Sequence, residues 1–377
     1  MQFKDIIGQQ AVKQSLLSMV QSNRMPHAQL FLGPEGSGKL ALALAFAQYL
    51  LCTDRSSTDS CGVCRHCRRA AKFIHPDLHF TFPVVGSKIT SSHYLKEWRL
   101  ALSENIYLNV NQWLQGIGAE NKQGNINKDE CVQIIHKLSL KSFESEYKIL
   151  ILWLPEYLAK EGNRLLKIIE EPPENTVFLL VAENADLILN TILSRCQLVK
   201  VRPLSDEDLA KALEAKKGLP TEAAQGIAQI TEGNYNEALQ LAERKQNNNA
   251  ELFLDWMRKC YLGNGVQLVN WVEKFATLGR ENQKHFFRYA LHFMREYLKL
   301  KMVGQQAVRL QSNELRTANN LLKVIGFDQV EKITMLFDES YYHIERNANP
   351  KVLLLDASIQ LNKILKRSTE SAPTRAR

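Results

Sequence analysis

The stretch that most constrains this chain is Gly33-Pro34-Glu35-Gly36-Ser37-Gly38-Lys39-Leu40, which follows the apolar run Ala28-Gln29-Leu30-Phe31-Leu32 and leads into Leu40-Ala41-Leu42-Ala43-Leu44-Ala45-Phe46-Ala47. Strand, glycine loop and helix in this order are what a phosphate-cradling loop requires. The glycines let successive backbone N–H groups point at phosphate oxygens, and the lysine reaches the outer phosphates. The candidate phosphate contacts are therefore Gly33, Gly36, Gly38 and Lys39. The motif ends in a Ser or Thr whose hydroxyl holds Mg²⁺, and here that position is Leu40. The helix after the loop is apolar on nearly all sides and reads as buried.

Four cysteines come next, Cys52, Cys61, Cys64 and Cys67, with eight, two and two residues between them. Two overlapping C-x-x-C steps bring thiolates within reach of one tetrahedral ion, so the cluster reads as a zinc site rather than free thiols or a redox pair. His66 and His75 lie close enough in sequence to stand in as ligands, although four thiolates already complete a shell. Cys131, Cys196 and Cys260 have no ligand spacing and read as small core residues.

From residue 80 to 122 the periodicity weakens, with Trp98 and Trp113 in short amphipathic pieces, and the segment reads as a surface insertion. A helix is expected from Lys128 to Leu138, with Val132, Ile135 and Leu138 on one side. Tyr147 to Leu152 and Thr176 to Val181 read as buried parallel strands. Between them lies a helix from Lys160 to Glu170, stopped by Pro172-Pro173. After Pro203 the strand signals end. Ser205-Asp206-Glu207-Asp208 opens the first of three short helices, Lys245 to Asn249 reads as a hinge, and amphipathic helices continue to about Lys366. The aromatic stripe His285, Phe286, Phe287, Tyr289, Phe293 has helical spacing and reads as packing rather than a base-stacking platform.

A chain of 377 residues suits two or three domains, and 45% hydrophobic with 23% charged residues is the balance of a globular protein. No apolar run approaches the roughly 20 residues of a membrane span, and the N-terminus lacks a signal-peptide pattern, so a cytoplasmic location is expected. The net charge of +8 permits contact with a polyanion and names no partner.

Together these pieces resemble the clamp-loader branch of the AAA+ ATPases. The resemblance is carried by Ile7-Gly8-Gln9, the glycine loop, the cysteine cluster directly after the loop helix and His75-Pro76-Asp77. Further on it is carried by Asn163-Arg164-Leu165-Leu166-Lys167-Ile168-Ile169-Glu170-Glu171-Pro172-Pro173, Ser194-Arg195-Cys196 and Asn347-Ala348-Asn349-Pro350. It implies an α/β AAA+ P-loop domain over 1–203, with a zinc module at 52–67 and the insertion at about 80–122. A small helical lid domain over 204–245, an all-α collar over 250–366 and a disordered tail over 367–377 complete the implied order.

Three departures stand out. Members that hydrolyse ATP carry a hydroxyl after the P-loop lysine, an acidic pair after the strand that here ends at Leu152, and an arginine in the lid. This chain has Leu40, Trp153 with Leu154, and Asn236. Metal contacts and fixed charges supply nearly all of the catalysis in phosphoryl transfer, so hydrolysis by this chain alone is expected to be negligible. The backbone amides of Gly36 to Lys39 remain for a phosphate or a weakly held nucleotide, whereas the resemblance implies no productive ATP binding. It also implies that Ser194 and Arg195 present an arginine finger to ATP on a neighbouring subunit. The implied partners are the motor subunits and delta in a hetero-oligomeric ring, with the sliding clamp and primed DNA reached through the complex. Two alternatives stand beside this reading: an ATP-hydrolysing motor subunit, and a stand-alone zinc-containing nucleic-acid-binding protein.

Overall fold

Five short strands joined by helical crossovers pair side by side as a parallel sheet. The computed structural model describes residues 1–120, 122–243, 249–308, 310, 312–322, 324–346 and 348–370. It divides into two compact units, Met1–Glu243 and Arg244–Arg377.

In the first unit α1 (Gln10–Gln21) precedes β1 (Ala28–Leu32), α2 (Lys39–Leu51), α3 (Arg65–Ala71), β2 (Leu78–Thr81), α4 (Leu95–Glu104), α5 (Val110–Gly116) and α6 (Lys128–Ser139). Then come β3 (Lys148–Trp153), a 3-10 segment over Pro155–Leu165, α7 (Leu166–Glu170), β4 (Thr176–Ala182), α8 (Asn190–Leu193) and β5 (Gln197–Lys200). Three helices close the unit: α9 (Asp206–Lys217), α10 (Thr221–Thr231) and α11 (Tyr235–Glu243). All pairings are parallel, in the order β2-β3-β4-β1-β5. With β1 flanked by β4 and β5, the glycine loop opens at the carboxyl edge of the sheet, where ligands of parallel sheets bind.

β3 and β4 are buried along their whole length and almost continuously apolar because both faces are covered, whereas β5 (Gln197-Leu198-Val199-Lys200) lies at the edge and buries only Val199. Phe31, Ile149, Ile151, Val177, Leu179 and Val181 join one core with α2, α4 and α5. Leu30, Leu150, Leu152, Phe178 and Leu180 join the other with α6, the 3-10 segment and α7. The expected fold class, a covered parallel α/β sheet followed by helices, is the one observed.

Several expectations are corrected. The segment 80–122 is not a surface insertion. It supplies strand residues Phe80 and Thr81 and the buried Phe82, Trp98 and Trp113, and Phe82 stacks on Trp98 at 4.3 Å. Its helices are short and separated by irregular chain, yet Trp98 packs on Trp153 at the end of β3. In α6 the buried side is Cys131, Ile134 and Leu138, whereas Val132 and Ile135 face solvent. Of the expected helix over Lys160–Glu170, the part to Leu165 is 3-10 and only α7 is α-helical, and the backbone kinks just before it at Ala159 (φ 44, ψ −132).

The second unit is helical: α12 (Asn249–Leu262), α13 (Gly265–Ala276), α14 (Arg280–Val303), α15 (Ser312–Leu321), α16 (Phe327–Glu345) and α17 (Pro350–Glu370). The stripe on α14 is core, with His285, Phe286, Phe287, Tyr289 and Phe293 all buried. Trp256 stacks on Trp271 at 5.6 Å and donates its indole N–H to Ser358 Oγ at 2.8 Å. The final helix runs four residues into the segment expected as a tail. Residues 371–377, residues 245–248 of the segment expected as a hinge and Asn347 lie outside the described residues, and Asn249, the last of that expected hinge, opens α12.

Candidate functional site

Gly36 (φ +69) and Gly38 (φ +88) take left-handed backbone, which the turn from β1 into α2 requires and which glycine adopts without a Cβ penalty. Lys39 opens α2 and is buried. Its ammonium donates to Glu183 Oε1 at 2.9 Å, just past β4, and to the Pro34 carbonyl at 3.0 Å. The charge meant for outer phosphates is thus neutralised within the chain.

The other side of the loop is filled by the start of α11, in the segment expected as a lid. Tyr235 N–H donates to the Gly36 carbonyl at 3.2 Å, and a Cβ added at Gly36 would lie 1.9 Å from Asn234 Oδ1. Glu35 Oε1 accepts from Asn109 at 3.0 Å, Asn236 at 3.3 Å and Asn234 at 3.4 Å, and Asn105 donates to Asn236 Oδ1 at 2.7 Å. Tyr107, against Gly38, meets Tyr235 edge-on at 4.8 Å. Burial pushes both phenols up to about 12, so they cover the loop as neutral rings. Ser37 Oγ is buried with no hydrogen-bond partner. Leu40 is core. Here the lysine is paired, the Glu35 carboxylate stands at the mouth of the loop, and Leu40 offers no hydroxyl after the lysine.

The end of β3, where the resemblance would place an acidic pair, is likewise core. Trp153 ends β3, is 2% exposed and packs on Trp98 at 5.0 Å. The first carboxylate beyond it, Glu156, accepts from the N–H groups of Glu183 and Asn184 at 2.5 and 2.9 Å. Burial raises its pKa against the lowering pull of those bonds.

The four sequence-marked thiols come together. Cys52, Cys61, Cys64 and Cys67 place their Sγ atoms within 4.8 Å of one another, and Cys61 and Cys67 are 3.9 Å apart, close to the ~3.8 Å edge of a tetrahedron with ~2.3 Å arms. Four sulfur donors in this arrangement fit one soft tetrahedral metal ion. Burial works to raise the Cys64 thiol, but N–H donors from Cys67 and Thr53 outweigh it and lower it to about 6. Burial pushes Cys67 up.

Beside them His66, His75 and Glu144 form a second group. Here Asp77 N–H donates to His75 Nδ1 at 3.1 Å, which leaves the His75 proton on Nε2, 2.8 Å from His66 Nδ1. Burial holds His75 down at about 4, so the ring is neutral. A protonated Nε2 is no metal ligand, and the group reads as a hydrogen-bonded brace between α3 and the start of β2. Asp77 extends it by accepting from the N–H groups of Glu144 and Ser145 at 2.9 Å.

Arg195 follows α8 on the surface, its side chain 31% exposed. It is held by Glu170, Thr191 and Ser194.

A family model described as "DNA polymerase III, delta subunit" matches residues 8–205, more than half the chain. The chain belongs to that family. Among relatives of this DNA polymerase III delta subunit family member, DNA polymerase III subunit delta' of Bacillus subtilis (strain 168) is 27% identical over 239 residues, 63% of this chain and 60% of that protein. DNA polymerase III subunit gamma of Buchnera aphidicola subsp. Acyrthosiphon pisum (strain APS) is 28% identical over 250 residues, 65% of this chain and 59% of that one. The chain thus spans about 60% of the length of these relatives. A solved DNA polymerase III gamma-subunit-related protein from Thermotoga maritima aligns over 92% of this chain and 98% of its own, at 16% identity and a TM-score of 0.38. No helix among the described residues is long and apolar enough to cross a membrane.

Sequence reasoning had marked the loop, the thiols, Trp153, Asn236 and Arg195. It missed Glu183, Asn109, Asn105, Tyr107 and Tyr235, which reach the loop from distant parts of the chain and follow no local pattern, and the part that Glu35 plays within the loop as their acceptor.

Proposed function

We propose that this chain is a delta-prime-type subunit of a DNA polymerase III clamp loader. In this reading it does not hydrolyse ATP itself, and it presents Arg195, aided by Ser194, to ATP held by a neighbouring motor subunit. The carrying observation is the contrast between two sites. The chain's own phosphate loop is filled by Lys39–Glu183 and the lid residues, while Arg195 stays at the surface in Ser194-Arg195-Cys196. A guanidinium suits that task because it is always charged and binds oxygens in a fork. Residues 1–203 and 204–245 then act as a non-hydrolysing AAA+ module with its lid, and 250–366 as the collar that joins motor subunits and delta in a ring. The ring brings the sliding clamp and primed DNA together in the cytoplasm.

The metal at Cys52, Cys61, Cys64 and Cys67 is zinc in this proposal, a structural crosslink tying the end of α2 to α3. The test is reconstitution with ATP-hydrolysing loader subunits. Purified chain alone shows no ATP turnover dependent on Lys39. Arg195→Ala, assembling normally, lowers clamp-stimulated hydrolysis by about 10³-fold at the site it faces. Unchanged hydrolysis refutes the assignment.

A further inference from the structure

We propose that Glu170 parks the Arg195 guanidinium and so sets how readily it reaches a neighbour's nucleotide. This rests on the reading of Arg195 as a group acting in trans. Glu170 Oε2 accepts from Arg195 Nε at 3.1 Å and from Nη2 at 3.0 Å. Arg195 Nη1 donates to the Thr191 carbonyl at 2.9 Å and to Ser194 Oγ at 3.3 Å. A guanidinium has five N–H donors, so these four hydrogen bonds leave little of it free for a phosphate.

The parking partner is itself an anionic oxygen, the class of acceptor that a γ-phosphate offers, and the two compete for the same Nε–Nη2 edge. Glu170 is the last residue of α7, where Pro172-Pro173 stop the helix and limit the backbone's freedom. The backbone of Glu170 is therefore set by the fold, and Arg195 has the longer side chain with which to leave it. With 31% of Arg195 and 57% of Glu170 exposed, water screens the pair and it exchanges readily. A pair of this kind tunes engagement without blocking it. Glu170 is a positioning residue: it touches no substrate and acts through Arg195.

The test uses the reconstituted loader complex with ATP. Without the clamp, Glu170→Gln raises turnover about two- to five-fold, the range that an exposed ion pair contributes. The clamp-stimulated maximum stays as in the native complex, because there the guanidinium has already left Glu170. Glu170→Asp keeps the carboxylate and stays nearer the native rate. In an Arg195→Ala background, Glu170→Gln changes nothing, which a merely structural role for Glu170 would not produce. If Arg195→Ala lowers hydrolysis but Glu170→Gln leaves the clamp-free rate unchanged or lowers it, the parked state is overturned and the trans role stands. If Arg195→Ala has no effect, both fall.

Discussion

Replacing Gly36 by alanine tests whether the lid rests on the phosphate loop, and Gly118 supplies the control. The two glycines have nearly the same φ, +69 and +70. Each substitution therefore forces an alanine into left-handed geometry at about 1–2 kcal/mol. They differ in surroundings. A Cβ at Gly118 meets nothing within 4 Å, whereas at Gly36 it lies 1.9 Å from Asn234 Oδ1 and 2.8 Å from Asn234 Cα. A backbone atom that close requires the start of α11 to withdraw. Withdrawal loses the Tyr235 N–H to Gly36 hydrogen bond, about 0.5–1.5 kcal/mol, and the edge-on Tyr107–Tyr235 contact, about 0.5–1.5 kcal/mol. Gly36→Ala should therefore cost about 1–3 kcal/mol more than Gly118→Ala. Hydrogen exchange of β3 and β4, buried strands that open only with the first unit, reads this directly. Exchange is expected about 5- to 150-fold faster in Gly36→Ala than in Gly118→Ala. Equal protection in the two variants would refute the lid contact.

Metal analysis should find about one zinc per chain, and Cys64→Ser should deplete it and lower stability by more than about 3 kcal/mol in thermal unfolding. Placing an acid at the end of β3 with Trp153→Asp restores no ATP turnover. It removes a buried indole, at about 3–5 kcal/mol, and buries a carboxylate, so the cooperative thermal transition is lost. Burial raises Glu156 in the folded chain, so the native state keeps a proton that the unfolded chain releases from about pH 4.5 upward. Its contribution to stability therefore falls as pH rises from there to the native value. Melting temperature followed from pH 4 to 7 should decline less in Glu156→Gln.

The strand–loop–helix around Gly33–Lys39 and the C-x-x-C steps were legible because their spacing is local: glycine conformations and ligand reach act over a few residues. The segment 80–122 was misread for the opposite reason. Trp98 and Trp113 sit in short amphipathic pieces broken up by glycine and proline, which look the same in a surface insertion as in a core, and only the packing against Phe82 and Trp153 reveals them as core. The α6 face was likewise ambiguous, because Cys131 and Ile134 compete with Val132 and Ile135 for the apolar side until the sheet chooses between them.

By itself the sequence determined a parallel α/β unit around a phosphate loop, a four-thiol cluster, a helical second half, and the replacement of the hydroxyl and acid by Leu40 and Trp153. Only the tertiary structure decided what became of that loop. Glu183 lies 144 residues from Lys39, and Asn234 and Asn236 lie 199 and 201 residues from Glu35. Contacts at such separation leave no period or spacing in the chain. They arise when strand order brings the end of β4 beside β1 and the lid packs over both, closing with side chains a loop whose glycines alone would read as open.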